Sequence, residues 1–229
     1  MENCLHKLKI FKYGFTLAEV LITLVIVGVV AALVISPLIN TYIESSTVAK
    51  VKKGLSILGQ AKKLAEAQNG SIEGWNFEEG LNIENATLLW NYLKPYVSVV
   101  KDCGAGQDCY QSGGVLTLSG NPTTNYNNSS YYYKIILADG SVMFFRVGGS
   151  DGSGKCSVSD GGIENVCGLF GYDVNGVKPP NTIGKDVFYY IFAKDGVYPY
   201  LDTNNCKKTG HGFGCSEYII KHNNMNYLH

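Results

Sequence analysis

The sequence lacks an excess of positive charge and has almost no arginine. Its 19 basic residues balance 19 acidic ones, and all of the basic residues except Arg146 are lysines. Nucleic-acid-binding domains usually concentrate positive charge on one face, so the composition gives no reason to expect nucleic acid as the main partner. Glycine (27) and tyrosine (16) are abundant instead, and asparagine-rich stretches recur after residue 120. This composition is typical of a loop-rich surface exposed to solvent.

Signatures of a catalytic site are also absent from the sequence. It contains no Gly-x-Ser-x-Gly, no His-Glu-x-x-His and no phosphate-binding loop. Among the residues that follow Gly14, His211 is the one histidine outside the polar C-terminal tail. We therefore predict a protein that is not an enzyme and requires no cofactor. An anchored enzyme that uses His211 is the alternative.

The cysteines predict an oxidising compartment. Seven cysteines are present, and Cys4 lies in the segment that ends at Gly14. The other six form three close pairs in the sequence: Cys103/Cys109, Cys156/Cys167 and Cys206/Cys215. An even number of paired cysteines favours disulfides. Bonding between nearest neighbours is the favoured arrangement, while other pairings and a reduced state remain open.

The last cysteine pair also resembles part of a zinc site. Cys206-x4-His211-x3-Cys215 has the spacing of the second half of a zinc knuckle. The preceding Cys-x2-Cys is missing, and an oxidising compartment favours a disulfide between these two cysteines. We therefore expect a disulfide here and not zinc.

One long apolar run lies near the N-terminus. Glu19 is the only charged residue between Phe15 and Ile43. As a helix rising about 1.5 Å per residue, residues 20–38 would cover about 28 Å, close to the hydrocarbon thickness of a bilayer. Lysines at positions 7, 9 and 12 precede the run, which predicts a cytoplasmic N-terminus by the positive-inside rule.

Glu19 needs a partner, because a carboxylate inside a membrane span costs about 2.5 kcal/mol or more near the centre. The span offers no lysine, arginine or histidine. A cut between Gly14 and Phe15 would create an α-ammonium group one helical turn before Glu19. In an assembly, the carboxylate could instead meet the ammonium group of a neighbouring subunit. A plain membrane anchor leaves Glu19 unexplained, and a secretory signal would need a small-residue cleavage site after the apolar run.

The run Gly14-Phe15-Thr16-Leu17-Ala18-Glu19, with the apolar residues after it, closely resembles the processing signature of type IV prepilins and type II secretion pseudopilins. The resemblance implies that prepilin peptidase cuts after Gly14 and methylates Phe15, and that Glu19 serves assembly. It also implies three parts: a leader (1–14), a transmembrane helix and assembly segment (15–43), and an extracytoplasmic globular domain (44–229).

The resemblance further implies a structural filament subunit, either a pilin or a pseudopilin. Such a subunit sits in the inner membrane before assembly, with its N-terminus in the cytoplasm and its globular domain in the periplasm or at the cell surface. Its partners would be copies of itself, other pilin-like subunits, prepilin peptidase and the inner-membrane assembly platform. A low-copy membrane-anchored adhesin or binding protein with the same signal is the alternative. Secretion, pilus and DNA-uptake systems are not distinguished.

The expected fold class is α+β, with a long N-terminal helix packed on an antiparallel sheet. Apolar spacing continues the helix through residues 47–68, and shorter helices are predicted at 86–92 and 215–223. Turn residues predict hairpins that pair 131–138 with 141–147 and 187–193 with 197–201. Weaker strand candidates are 115–118 and 168–172. Residues 119–130 and 148–162 are predicted to be polar loops.

One loop offers oxygen ligands to a hard cation. The candidate ligands are Asp173, Asn175, Asn181 and Asp186. Calcium takes about six to eight oxygens, and the resemblance adds that some major pseudopilins bind calcium in a loop of this region. The loop is not an EF-hand. Turn chemistry alone explains the same residues and is the favoured interpretation, with calcium as the alternative.

Overall fold

The computed structural model describes residues 14–106, 109–110, 114–126, 128–148, 156, 158–160 and 162–229. The chain divides into two compact units, Met1–Ile43 and Glu44–His229. One helix, α1 (Leu17–Asn69), begins in the first unit and ends in the second. The predicted leader lies outside the described residues, except for Gly14.

The first unit contains the apolar part of α1. This part is long and apolar enough to cross a membrane, and no described residue in its window of highest hydropathy is buried. Pro37 lies within the helix, where its ring removes one backbone N–H. Thr41 Oγ1 donates a hydrogen bond to the Pro37 carbonyl oxygen at 3.0 Å. The predicted apolar helix is therefore confirmed.

The second unit combines helices with an antiparallel sheet. Within the described residues, its further α-helices are α2 (Ile83–Leu93) and α3 (Cys215–His222). The strands are β1 (Val99–Gly104), β2 (Tyr133–Leu137), β3 (Val142–Val147), β4 (Val158–Asp160), β5 (Ile163–Asp173), β6 (Val187–Ala193) and β7 (Val197–Pro199). Short 3-10 helices lie at Ile72–Gly74, Lys94–Tyr96, Thr203–Asn205 and Asn226–Leu228.

The strands form one sheet in the order β1-β2-β3-β5-β6-β7, and β4 pairs with the first part of β5. Every strand pair is antiparallel. The two predicted hairpins are β2–β3 and β6–β7. Gly140 supplies the positive φ of +80° that the first turn requires. The α+β class, a long helix with an antiparallel sheet, is confirmed.

The helices cover one face of the sheet, the inner face. Phe145, Phe170 and Phe192 project from β3, β5 and β6 onto this face and form a row of rings, with centroids 4.7 and 5.4 Å apart. Leu58 and Ala61 of α1 belong to the same buried cluster. Burying each large apolar side chain contributes roughly 1.5–3 kcal/mol, so this contact is a main source of stability for the second unit.

The opposite, outer face is buried as well. Phe144 of β3 and Tyr189 of β6 belong to a second buried cluster on this side. The described residues of 105–132, between β1 and β2, cover this face and are called the covering segment. The segment adds these side chains to the cluster: Tyr110, Val115, Tyr126 and Tyr132. A sheet buried on both faces explains why every residue of β3 and β6 is buried.

Lys134 links the two ends of the covering segment. This β2 residue is fully buried, and its ammonium group donates to carbonyl oxygens of Ala105 and Tyr126 at 3.1 Å each and of Tyr132 at 3.3 Å. Burial lowers the pKa of Lys134. A buried charge requires such partners, because an unpaired one is costly.

Three lysines of α1 reach turns of the sheet. The contacts are Lys50 Nζ to the Val174 carbonyl oxygen at 2.6 Å, Lys53 Nζ to Asp139 Oδ2 at 2.8 Å, and Lys62 Nζ to the Lys194 carbonyl oxygen at 2.9 Å. Their apolar stems lie along the helix while their charged ends reach polar groups. Polar side chains of α1 therefore contact the sheet, in addition to the apolar stripe of the helix.

Some predicted elements differ from the observed ones. The strand predicted at 115–118 is wrong, because Leu116 makes isolated bridges to Pro122 and Thr182 while the segment crosses the outer face. Residues 168–172 are part of the longer β5. The predicted loop 148–162 contains β4, and most of its other residues lie outside the described part of the chain. α2 begins before residue 86, because the Asn82 side chain caps it by accepting from the Asn85 backbone N–H at 2.7 Å.

Gly54 lets α1 approach the inner face closely. A Cβ there would lie 2.8 Å from the Tyr172 ring and 3.0 Å from the Tyr190 hydroxyl, whereas a Cβ at Gly59 would meet nothing within 4 Å. We expect Gly54→Ala to lower the free energy of unfolding by about 1–3 kcal/mol. We expect the control, Gly59→Ala, to raise it by up to about 1 kcal/mol. Urea unfolding of the detergent-solubilised full chain measures both, and equal effects would contradict the close approach.

Candidate functional site

The predicted cleavage site lies just before α1. Residues 14–16 are not helical, and the helix begins at Leu17. Gly14 is exposed, and 86% of Phe15 is exposed. Exposed backbone without regular structure is where proteolysis is favoured. The predicted cut at Gly14–Phe15 therefore falls in exposed, non-helical chain.

Thr16 and Glu19 form a capping box at the start of α1. The Thr16 backbone N–H and hydroxyl both donate to Glu19 Oε2 at 2.8 Å. In return, the Glu19 backbone N–H donates to Thr16 Oγ1 at 3.2 Å. This reciprocal pattern satisfies helix N–H groups that have no partner within the helix. A carboxylate in the first turn also interacts favourably with the helix dipole.

The capping box gives Glu19 hydrogen-bond partners before any cut takes place. The sequence reasoning did not single out Thr16, although the Thr-x-x-Glu spacing is the usual signal of a capping box. The Thr16 nitrogen that already contacts the carboxylate is one residue from the Phe15 nitrogen. An α-ammonium group created at Phe15 would arise one residue before the backbone N–H that already binds this carboxylate.

The N-terminal sequence matches a known signal. Residues 11–35 match the family model described as the prokaryotic N-terminal methylation motif, the prepilin-type signal of type IV pilins and pseudopilins. The motif supports a type IV pilin-like protein that is processed by prepilin peptidase. No curated protein and no solved structure matches the chain.

The six cysteines that follow Gly14 are joined in nearest-neighbour disulfides. The bonds are Cys103–Cys109, Cys156–Cys167 and Cys206–Cys215, with Cα–Cα distances of 6.0, 4.1 and 4.9 Å. The third bond uses both sulfurs of the zinc-like spacing. A disulfide offers no thiolate to a metal, so this spacing does not form a zinc site in this structure.

His211 is held by neighbouring groups on both ring nitrogens. Its Nε2 lies 3.0 Å from Asp202 Oδ2, and its Nδ1 accepts from the Phe213 backbone N–H at 3.2 Å. Its ring also packs edge-on against Phe213, with centroids 5.2 Å apart. These contacts use the hydrogen-bonding capacity of the imidazole to hold the loop before α3.

The four candidate calcium ligands come together beside β5 and β6. Asp173 and Asp186 are 0% and 4% exposed. Asn175 Nδ2 donates to Asp186 Oδ2 at 3.1 Å. The Asn181 side-chain nitrogen, in the orientation that satisfies its neighbours, donates to Asp173 Oδ2 at 3.2 Å. The two asparagine amides thus place N–H groups on the two carboxylates.

Other donors complete this network. Tyr110 donates to Asp173 Oδ2 at 2.9 Å, and the Thr182 and Asn181 backbone N–H groups donate to Asp186. Asn175 Oδ1 is buried without a partner, but a calcium shell takes about six to eight oxygens. Within the described part of the chain, no group of three or more His, Cys, Asp or Glu is placed to hold a metal ion. The four residues form a hydrogen-bonded network in this structure, and their assignment as calcium ligands stays a prediction.

The buried carboxyl pair has strongly perturbed acidity. Burial and the nearby charge of Asp186 raise the pKa of Asp173 to about 8. Burial also raises the pKa of Asp186. Burial and the charge of Asp173 raise the pKa of Tyr110, so its hydroxyl stays a proton donor. At neutral pH the pair therefore retains a proton that the unfolded chain would release.

This retained proton makes stability depend on pH. Between about pH 4 and about pH 8, the native Asp173 binds a proton that the unfolded chain has lost. We therefore expect the free energy of unfolding to fall as pH rises through this range, by at most about 1.4 kcal/mol per pH unit for one proton. Asp173→Asn should flatten this dependence in thermal melts from pH 5 to pH 8. The exposed control, Asp195→Asn, should keep the wild-type slope, and equal slopes in all three proteins would contradict the assignment.

Proposed function

We propose that the chain is a structural subunit of a type IV pilus or type II secretion filament, with no catalysis of its own. One observation carries the proposal: a single carboxylate, Glu19, stands in the first turn of α1, where the exposed apolar part of this helix overlaps a prepilin-type signal at residues 11–35. An enzyme has no need for this arrangement, whereas a filament built on bundled apolar helices requires a way to set their register.

Processing at Gly14–Phe15 creates the charge that completes the site. In the mature chain, the methylated α-ammonium group of Phe15 stands one turn from Glu19. Within one subunit, the two groups neutralise each other in the apolar surroundings. An incoming subunit can bring its Glu19 to the ammonium group of a neighbour, because an ion pair in a low dielectric is strong and an unpaired charge is costly.

Thr16 has a positioning role in this mechanism. Its N–H and hydroxyl hold the Glu19 carboxylate toward the helix start. Two neutral donors stabilise a carboxylate less than a charged donor does. The local bonds therefore let Glu19 enter the bilayer and leave it able to exchange them for an ammonium partner.

The same proposal defines location and partners. Before assembly, the subunit spans the inner membrane once, with its N-terminus in the cytoplasm and the disulfide-bonded unit outside. It meets prepilin peptidase, an inner-membrane assembly platform, copies of itself and other pilin-like subunits. A secretin and secretion ATPase encoded beside it would indicate a secretion pseudopilus, and a retraction motor would indicate a pilus. The hydrogen-bonded network at Asp173 and Asp186 gives no calcium-based argument for secretion.

Mass analysis of the N-terminus tests processing. We expect the native protein from its own host to begin with N-methylated Phe15, and the unprocessed chain to accumulate in cells without prepilin peptidase. The matched variant Gly14→Val should block the cut, because a side chain before the scissile bond would obstruct a site fitted to glycine. An intact leader in wild-type cells, or a first residue other than Phe15, would overturn the proposal.

Substitution of Glu19 tests assembly separately from processing. We expect Glu19→Gln, which removes the charge and keeps the size, to insert and be cleaved normally while filament yield falls at least tenfold. Thr16→Val should give a smaller loss, because the carboxylate remains but is less well held. Cell-fractionation blots report insertion and cleavage, and filament shearing reports assembly. Wild-type filament yield from Glu19→Gln would remove the assembly role.

A further inference from the structure

The covering segment is not held equally along its length. Its middle part pairs through backbone hydrogen bonds, from the Leu116 N–H to the Asn181 carbonyl at 3.0 Å and from the Ile183 N–H back to the Leu116 carbonyl at 2.8 Å. Among the described residues before Val115, Gly106 donates a backbone hydrogen bond to the Cys103 carbonyl at 2.8 Å, and the links to more distant parts of the chain involve side chains. These links are the Cys103–Cys109 disulfide, the Tyr110–Asp173 hydrogen bond, and the Lys134 contact to the Ala105 carbonyl.

Tyr110 is the side chain by which this first part enters the outer core. It is 4% exposed, its ring packs edge-on against Phe144 with centroids 5.4 Å apart, and its hydroxyl donates to Asp173. Cys109 directly precedes it and is fully buried. The disulfide therefore fixes the backbone from which Tyr110 reaches across the sheet.

The other end of the disulfide lies at the border of the sheet. Cys103 belongs to β1, which is the first strand in the sheet order. The pairing of β1 with β2 is irregular between Asp102 and Gly104. Cys103 is partly exposed, so this half of the bond is nearer to solvent than Cys109. The disulfide that precedes Tyr110 thus begins at the edge strand β1, while the Tyr110 side chain is buried in the cluster on the outer face.

We propose that the Cys103–Cys109 disulfide is a redox latch that holds Tyr110 against Asp173 and closes the outer face. A dithiol that reduces it gives two electrons and two protons to form the two thiols and becomes a disulfide itself. Oxidation by a disulfide-bearing oxidant runs the reverse exchange. The reduced chain loses the tether at Cys109, and Tyr110 leaves the cluster while water reaches Asp173. Export to an oxidising compartment then closes the face after the sheet has formed.

Tyrosine nitration by tetranitromethane, mapped by mass spectrometry, tests the latch on the full chain in detergent. We expect Cys103→Ser/Cys109→Ser to raise the nitration rate of Tyr110 at least tenfold. Tyr189 and Tyr190 of β6, which are fully buried, should stay protected in the same sample. In the control, Cys206→Ser/Cys215→Ser, Tyr110 should stay protected from nitration in every sample in which Tyr189 and Tyr190 are protected.

Graded reduction of the wild-type chain with dithiothreitol provides a second measurement that needs no variant. Nitration of Tyr110 should follow the appearance of free thiols at Cys103 and Cys109, before Tyr189 becomes reactive. Tyr110 that stays protected after this bond has been reduced would overturn the proposal. The proposal would also fail if Tyr110 and Tyr189 became reactive together, because the bond would then serve global stability alone.

Discussion

A carboxylate at the start of an apolar helix is the constraint on which the functional argument depends. Glu19 cannot stay unpaired in a bilayer without a large cost, and its own span offers no basic side chain. Thr16 supplies hydrogen bonds to this carboxylate. In the mechanism we propose, the terminus created at Phe15 supplies a full charge after cleavage. The difference in strength between these two partners would then connect proteolysis to assembly.

The two faces of the sheet are buried by different physical means. The inner face meets α1 and α2, and a regular apolar stripe of the helix supplies the contact. The outer face meets an irregular chain that cannot satisfy its own backbone groups with a helix or a ladder. The buried ammonium group of Lys134 donates to three backbone carbonyl oxygens of this chain, and Asp173 accepts from the Tyr110 hydroxyl. The outer face is thus ordered by polar groups as much as by aromatic packing.

Sequence reasoning succeeded where the deciding interactions are local. The apolar period of α1 and the turn residues at Asp139-Gly140 both lie within a few residues of the structure that they predict. Thr16 was also within reach, because its role follows from a spacing of three. Lys134 and Tyr110 were not, since their partners are set by how the covering segment crosses the sheet. The apolar residues at 115–118 were mistaken for a strand. A segment that packs against the face of a sheet needs the same apolar side chains as a strand within the sheet.

Contacts between residues far apart in the sequence also left the loop from Asp173 to Asp186 open to two interpretations. Two aspartates and two asparagines in a turn-rich segment match both a cation shell and an internal network. In the structure, side-chain amide N–H groups contact the two carboxylates, as an internal network requires. The orientation of an amide depends on all its neighbours together, and spacing in the sequence does not report it.

The lysine contacts of α1 have a mechanical consequence. Lys50, Lys53 and Lys62 join three positions along the helix to three different connections of the sheet. A force along the helix axis would act on these three lysine contacts and on the apolar contact between them at the same time, as shear. All of these contacts would therefore have to break together. A pull across the axis would break them in sequence, as peeling does. The second unit is therefore built to carry tension along its helix and to give way to force from the side.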